Sequence, residues 1–167
     1  KAGAVANGAM YRYPNTQEAA PLWFHDHALG LTRLNVYAGL AGGYLIVDPA
    51  LTLPAGLHPI GLQQGTAGAV DYIIPLVIQD RMFDTNGQLY FPNMGPNPEH
   101  PFWMMEFFGD TNVVNGKVWP YLNVEARRYR FLLLNASNAR TYELFLHGQH
   151  LWQIATDGGY LDAPVKL

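Results

Sequence analysis

Two histidines separated by one residue, His25 and His27, have the type and spacing that best suit metal chemistry in this sequence. On an extended strand, residues two apart point to the same face, with about 6.5–7 Å between their Cα atoms. Two imidazoles so placed can bind one metal ion together, or give one ligand to each of two adjacent ions. Imidazole suits zinc, copper, iron and nickel. Asp26 would point to the opposite face. Taken alone, such a pair is as compatible with two structural histidines as with a metal site.

Short apolar runs separated by turn residues are the elements that must position this pair. The chain has 17 Gly, 12 Pro and 10 Tyr in 167 residues, and abundant turns and aromatic side chains favour an all-β fold. Residues 36–47 (VYAGLAGGYLIV) predict a buried strand, with a bulge or a close backbone approach at Gly42 and Gly43. Residues 28–37 are the single helix candidate. Strand candidates at intervals of about ten residues are typical of a β-sandwich or barrel. They include 71–80, with Pro75 at an edge or a bulge, 128–135, 141–146 and 151–156, and residues 84–87 predict a hairpin turn.

Charge and cysteine content exclude several classes of function. Ten Lys and Arg against 13 Asp and Glu give a formal charge of −3, and no basic stripe is present, so nucleic acid is not an expected partner. No apolar run approaches the roughly 20 residues of a membrane span, so a membrane is not expected either. The chain has no Cys, which excludes disulfides, thiol nucleophiles and thiolate-bound copper within it.

A low-charge stretch without periodicity divides the chain into two parts. Residues 50–70 (ALTLPAGLHPIGLQQGTAGAV) combine proline, glycine and small side chains. This composition is typical of an interdomain linker. We therefore expect one unit over residues 1–49, which carries the histidine pair, and a second unit over residues 71–167.

Three blocks of sequence, taken in order, carry a family resemblance. Residues 23–49 read WFHDHALGLTRLNVYAGLAGGYLIVDP, and residues 109–146 read GDTNVVNGKVWPYLNVEARRYRFLLLNASNARTYELFL. Residues 154–165, IATDGGYLDAPV, follow. Together they resemble the multicopper oxidases, in particular the branch of bacterial spore-coat laccases and bilirubin oxidases. The first block resembles the second histidine motif of that family, and the second block resembles the start of its second cupredoxin domain.

The resemblance implies a fold built from cupredoxin-like Greek-key β-sandwiches. Residues 1–49 would be the C-terminal part of the first domain, and residues 71–167 a second domain that is incomplete at its C-terminus. The chain would then be an internal fragment, with the remaining oxidase domains supplied in cis or as another chain. An extracellular, periplasmic or spore-coat location goes with the family, while the residues themselves leave the compartment open.

The resemblance also implies copper. His25 and His27 would be ligands of the binuclear copper pair within a three-copper cluster, and the mononuclear copper site would be absent from this chain. The whole enzyme would oxidise a small phenolic or aromatic substrate and reduce dioxygen to water by four electrons. No catalytic residues beyond the metal ligands are expected, and the chain alone is expected to be inactive. The sequence leaves the reducing substrate open.

A non-catalytic cupredoxin-like module, structural or binding and without metal, is the alternative. A barrel amidohydrolase would need about 250 residues and alternating helices, and neither is present. The other four histidines are expected to be structural: His58, His100, His147 and His150.

Overall fold

The computed structural model describes residues 6, 8–52, 72–92 and 106–167. Within these ranges the chain forms one short helix and eight strands. The predicted linker over 50–70 lies almost wholly outside the described residues, so the two predicted domain boundaries stay predictions. The elements are β1 (Pro21–His25), α1 (Thr32–Tyr37), β2 (Ala41–Leu45), β3 (Ile73–Arg81), β4 (Thr111–Val114), β5 (Lys117–Val118), β6 (Arg130–Asn135), β7 (Trp152–Thr156) and β8 (Gly159–Lys166).

Strands β1 and β2 form an antiparallel pair that carries the first histidine at one end. Their five residue pairs run without a register shift and end at His25 opposite Ala41. The structure therefore has no bulge at Gly42 and Gly43. It has the close approach instead, because a Cβ on Gly42 would lie 2.9 Å from Cζ of Phe24. Glycine lets this aromatic ring lie across the neighbouring strand.

The connection between β1 and β2 contains α1, which is shorter than the helix predicted over 28–37. The residues that follow α1 explain why the helix ends at Tyr37. Gly39 has a φ of +108°, and its N–H donates to the carbonyl of Val36 at 3.0 Å. The next N–H, of Leu40, donates to the carbonyl of Asn35 at 2.9 Å. This pair of bonds is a Schellman motif, in which glycine takes the left-handed position and turns the chain into β2.

A four-stranded sheet in the order β5-β4-β3-β6 lies in the predicted second unit, residues 71–167. β3 is parallel to β6 and antiparallel to β4. Pro75 pairs with Leu132, but β4 begins to pair only at Ile78. On that side Asn115 Nδ2 donates to the carbonyl of Pro75 at 2.8 Å, and Asn115 Oδ1 accepts from the Val77 N–H at 2.9 Å. The missing N–H of Pro75 thus faces a side where no strand of the described ranges pairs at this position. The predicted edge is therefore local, because β3 itself lies between β4 and β6.

The remaining turns and strands follow the predictions with one exception. Gly87 N–H donates to the carbonyl of Asp84 at 3.0 Å, which closes the predicted hairpin turn. β7 and β8 pair through a turn in which Gly158 has a φ of +95°. The strand predicted over 141–146 is wrong, since this segment is irregular. Alternating side chains make a strand only where a partner strand offers hydrogen bonds, and this segment pairs with none among the described residues.

An aromatic cluster lies where α1 meets the predicted second unit. The Tyr37 ring contacts the rings of Phe91 and Phe107 edge-on, with centroids 5.1 and 4.8 Å apart. Phe91 and Phe107 stack on each other at 5.0 Å. Burying aromatic side chains of this size supplies much of the driving force for packing. The buried apolar residues of the described ranges are Ala20, Val36, Tyr37, Ile73, Phe107, Val113 and Ala136.

The predicted all-β class is confirmed, since α1, with six residues, is the sole helix among the described residues. No helix in that part of the chain is long and apolar enough to cross a membrane.

Candidate metal centre

The histidine pair lies where β1 ends and the chain turns toward α1. His25 is the last residue of β1, opposite Ala41. The N–H of Asp26 donates to the carbonyl of Leu40 at 3.1 Å, which extends the pairing by one residue. His27 follows outside the strand. The first histidine therefore has a backbone fixed by the sheet, while the second depends on the turn that follows it.

The two imidazole rings lie side by side, although His27 is outside the strand that the prediction assumed for both. Their centroids are 5.7 Å apart and their planes differ by 23°. His25 is half-buried, and its ring centroid lies 4.4 Å from that of Trp23. His27 is exposed. The structure thus brings both predicted site residues together, with Trp23 packed against one side of the pair.

A backbone hydrogen bond defines the tautomer of His25. Its Nδ1 lies 2.8 Å from the carbonyl oxygen of Asp26. A carbonyl can only accept, so Nδ1 carries the proton and Nε2 of the neutral ring keeps its lone pair. A bond of this kind, from one ring nitrogen to a backbone carbonyl, is typical of histidines whose other nitrogen binds a metal.

The carboxylate of Asp26 organises the turn around His27. Its Oδ2 accepts a hydrogen bond from the Ala28 N–H at 3.1 Å and another from Asn35 Nδ2 at 2.8 Å. The first bond makes an Asx turn with His27 at its centre. The Asn35 hydrogen bond, followed by that from Ala28, lowers the pKa of Asp26, and the two neighbouring imidazoles contribute in the same direction. Asp26 is therefore a carboxylate at neutral pH.

Asn35 is the residue of this site that sequence reasoning missed. It lies on α1, nine positions after Asp26, and its amide holds the carboxylate that shapes the turn. An asparagine in a short helical pattern has no feature in the sequence that marks such a role. Its partner became evident only from the fold, because α1 packs back beside the end of β1.

The other histidines do not join this site in the described part of the chain. His147 and His150 are exposed, in and next to a turn after β6, and their predicted structural role stays a prediction. His58 and His100 lie outside the described residues. Among the residues that the structure describes, no group of three or more His, Cys, Asp or Glu side chains could hold a metal ion. Two imidazoles suit copper as ligands, but by themselves they leave coordination positions open.

Comparisons with known proteins identify the class. No family model matches the chain. It is 48% identical to a laccase of Bacillus subtilis over 166 residues, which is 95% of this chain and 30% of that protein. It is 43% identical to the multicopper oxidase LPR1 of Arabidopsis thaliana over 155 residues, 92% of this chain and 25% of that protein. A crystal structure of the multicopper oxidase McoA from Aquifex aeolicus matches with a TM-score of 0.68 and 36% identity, over 90% of this chain and 31% of that one.

The strand arrangement and the structural match define a cupredoxin-like, all-β fold. The chain belongs to the multicopper oxidase family, as the sequence blocks predicted. It spans 30% of the length of the laccase that it matches.

Proposed function

We propose that this chain is part of a laccase-type oxidase and that His25 and His27 supply two ligands of its binuclear copper pair. The whole enzyme would couple one-electron oxidation of a small phenolic or aromatic substrate to four-electron reduction of dioxygen to water. When bound, copper would carry the electrons from the substrate to dioxygen. The observation that supports this most strongly is the side-by-side pair of imidazoles, one of them with its Nδ1 engaged by a backbone carbonyl.

The ring geometry favours one ligand for each of two ions over chelation of a single ion. Nearly parallel rings at 5.7 Å can each face its own ion, since the ions of two-metal sites lie about 3.5–4 Å apart. Trp23 packs against His25 and covers one side of the ring. In this proposal the protein holds nitrogen donors in place and shields them.

Further ligands must come from elsewhere, because the described residues offer no third ligand to this pair. We propose that the remaining oxidase domains supply them, in cis or as another chain. The reducing substrate and dioxygen would be partners of that whole assembly. The metal-free cupredoxin-like module is the competing function, and it predicts a native protein without copper.

Oxygen uptake by the native protein with a phenolic substrate tests the reaction. We expect four one-electron substrate oxidations for each dioxygen consumed. His27→Ala should lower the rate about 10-fold or more. Changing a residue that merely orients a metal ligand already has an effect of this size, and the loss of a ligand should cost at least as much. His147→Ala, at an exposed turn, is the matched control and should leave the rate unchanged. An oxygen uptake rate that His27→Ala leaves unchanged, or a native protein that contains no copper, would contradict the proposal.

A further inference from the structure

We propose that α1 is a positioning element for the histidine pair, with Asn35 holding the turn that carries His27 and Tyr37 fixing the helix to the second unit. This inference rests on the proposed role of the histidines as copper ligands. The predicted second unit then helps to set the geometry of the metal site, although none of its described residues is a ligand of the pair.

The first step runs from the metal-site turn to the helix. Both Ala28 N–H and Asn35 Nδ2 donate to the same carboxylate oxygen, Oδ2 of Asp26. The Ala28 bond closes the turn around His27, and the Asn35 bond ties that closed turn to α1. The carbonyl of Asp26 is also the acceptor for Nδ1 of His25. One residue therefore orients both imidazoles, and Asn35 is the side chain that holds this residue from outside the turn.

The second step runs from the helix to the strands of the second unit. The hydroxyl of Tyr37, two residues after Asn35, donates to the carbonyl of Tyr90 at 2.7 Å and accepts from the N–H of Met82 at 2.9 Å. Tyr37 is 4% exposed. The guanidinium of Arg81 lies over its ring, 4.7 Å from the centroid, and also donates to the carbonyl of Val36 at 3.4 Å.

These contacts make the attachment of α1 specific. A six-residue helix is too short to be stable by itself, so its position depends on what it packs against. Tyr37 supplies a buried ring and a hydroxyl that donates and accepts, and both partners of the hydroxyl lie in the hairpin that follows β3. The turn around His27 is therefore positioned, through α1, by residues that lie 45 and 53 positions after Tyr37 in the sequence.

Copper binding by the native protein and its variants tests the first step. Asn35→Ala should weaken copper binding about 10-fold or more, in the range known for residues that orient metal ligands. The substitution should not unfold α1, because alanine has the highest helix propensity. Asn86→Ala, in the exposed hairpin turn, is the matched control and should bind copper as the native protein does. An Asn35→Ala variant with native copper affinity would overturn the inference.

Two substitutions of Asp26 separate positioning from charge. Asp26→Asn keeps an oxygen that accepts both hydrogen bonds, whereas Asp26→Ala removes it. We expect Asp26→Asn to retain most of the copper and Asp26→Ala to lose it. If both variants lose copper equally, the charge of the carboxylate matters more than its bonds, and the positioning role is wrong.

Tyr37→Phe tests the second step. This variant keeps the buried ring and loses only the hydroxyl bonds to Met82 and Tyr90. We expect weaker copper binding in the same direction as for Asn35→Ala, with secondary structure retained by circular dichroism. Native copper binding in Tyr37→Phe would overturn the role of the second unit.

His25→Ala separates a failure of the proposed function from a failure of this inference. If His25→Ala retains full copper, the proposed function fails. If His25→Ala loses copper and Asn35→Ala does not, this inference alone is refuted.

Discussion

Nε of Arg140 lies 2.9 Å from Oδ2 of Asp80, a carboxylate whose side chain is completely buried. The same oxygen accepts a hydrogen bond from the N–H of Gly109 at 2.6 Å, and Arg140 donates a second bond to the carbonyl of Gly109 at 2.7 Å. This triangle joins the end of β3, the residues before β4 and the segment after β6. It is a buried polar link inside the described part of the predicted second unit.

Removing the arginine should destabilise the protein. Arg140→Ala leaves the Asp80 carboxylate buried without its cation, and breaking a buried pair in this way costs about 3 kcal/mol. Urea unfolding of the native protein and the variant measures this. Arg128→Ala, at an exposed position, is the matched control and should stay within about 0.5 kcal/mol of the native protein. Equal effects of the two substitutions would contradict the role of the triangle.

Gly109 should tolerate no side chain. A Cβ at this position would lie 2.5 Å from the backbone N of Arg81 and 2.6 Å from its carbonyl oxygen, and the backbone cannot move aside without disturbing β3. Gly109→Ala should therefore cost about 2 kcal/mol or more, as expected for overpacking. Gly43→Ala, where a Cβ meets nothing within 4 Å, should be close to neutral. Thermal unfolding of the two variants makes the comparison, and similar melting temperatures would count against the close approach.

Tyr37 should make stability fall at alkaline pH. Burial raises its pKa above the ordinary 10.0, more than the hydrogen bond to Met82 and the charge of Arg81 lower it. As pH rises above 10.0, the unfolded chain gives up the tyrosine proton while the folded chain keeps it, so unfolding is favoured. The contribution of the protonated Tyr37 side chain to stability is fully present below pH 10.0 and is lost as the pH rises through the pKa of Tyr37 in the folded protein. In Tyr37→Phe the free energy of unfolding should fall less steeply in this range. An identical pH dependence in both proteins would show that Tyr37 is not the group responsible.

The 167-residue chain by itself should not oxidise phenols. It contains no Cys for a thiolate-bound copper, and its described residues present only two imidazoles at the candidate centre. At such a site water would fill the remaining coordination positions of a copper ion, and no path would carry electrons to it from a substrate. Oxygen uptake by the purified chain with added copper and a phenol measures this, and copper-dependent turnover would contradict the account.

Features fixed by local patterns were predictable from the sequence, whereas features set by partners distant in the chain were not. The spacing of His25 and His27 predicted that their rings share a side, and they do, although His27 lies in the turn after β1 and not on the extended strand that the prediction assumed. Pro75 predicted an edge or a bulge because it lacks an N–H, and the structure has a local edge there within the central strand β3. The strand predicted over 141–146 failed because its pattern says nothing about a partner strand.

The most important residues missed are those that act over long separations. Asn35 reaches Asp26 only because α1 folds back beside β1, and Tyr37 meets Met82 and Tyr90 across 45 and 53 positions. No periodicity encodes such contacts. The identity of Asn35 and Tyr37 as polar residues in a short helical run was the sole signal available.

Copper counting in the native protein, together with its near-ultraviolet and blue absorption bands, tests the assignment of His25 and His27 most directly. His25→Ala and His27→Ala should each lose copper and the near-ultraviolet band of the binuclear pair. The blue band of the thiolate-bound copper should stay, because neither histidine would touch that ion. His150→Ala, at an exposed position next to the turn after β6, should change neither. Full copper content and an intact near-ultraviolet band in the His25 and His27 variants would show that these histidines are not copper ligands.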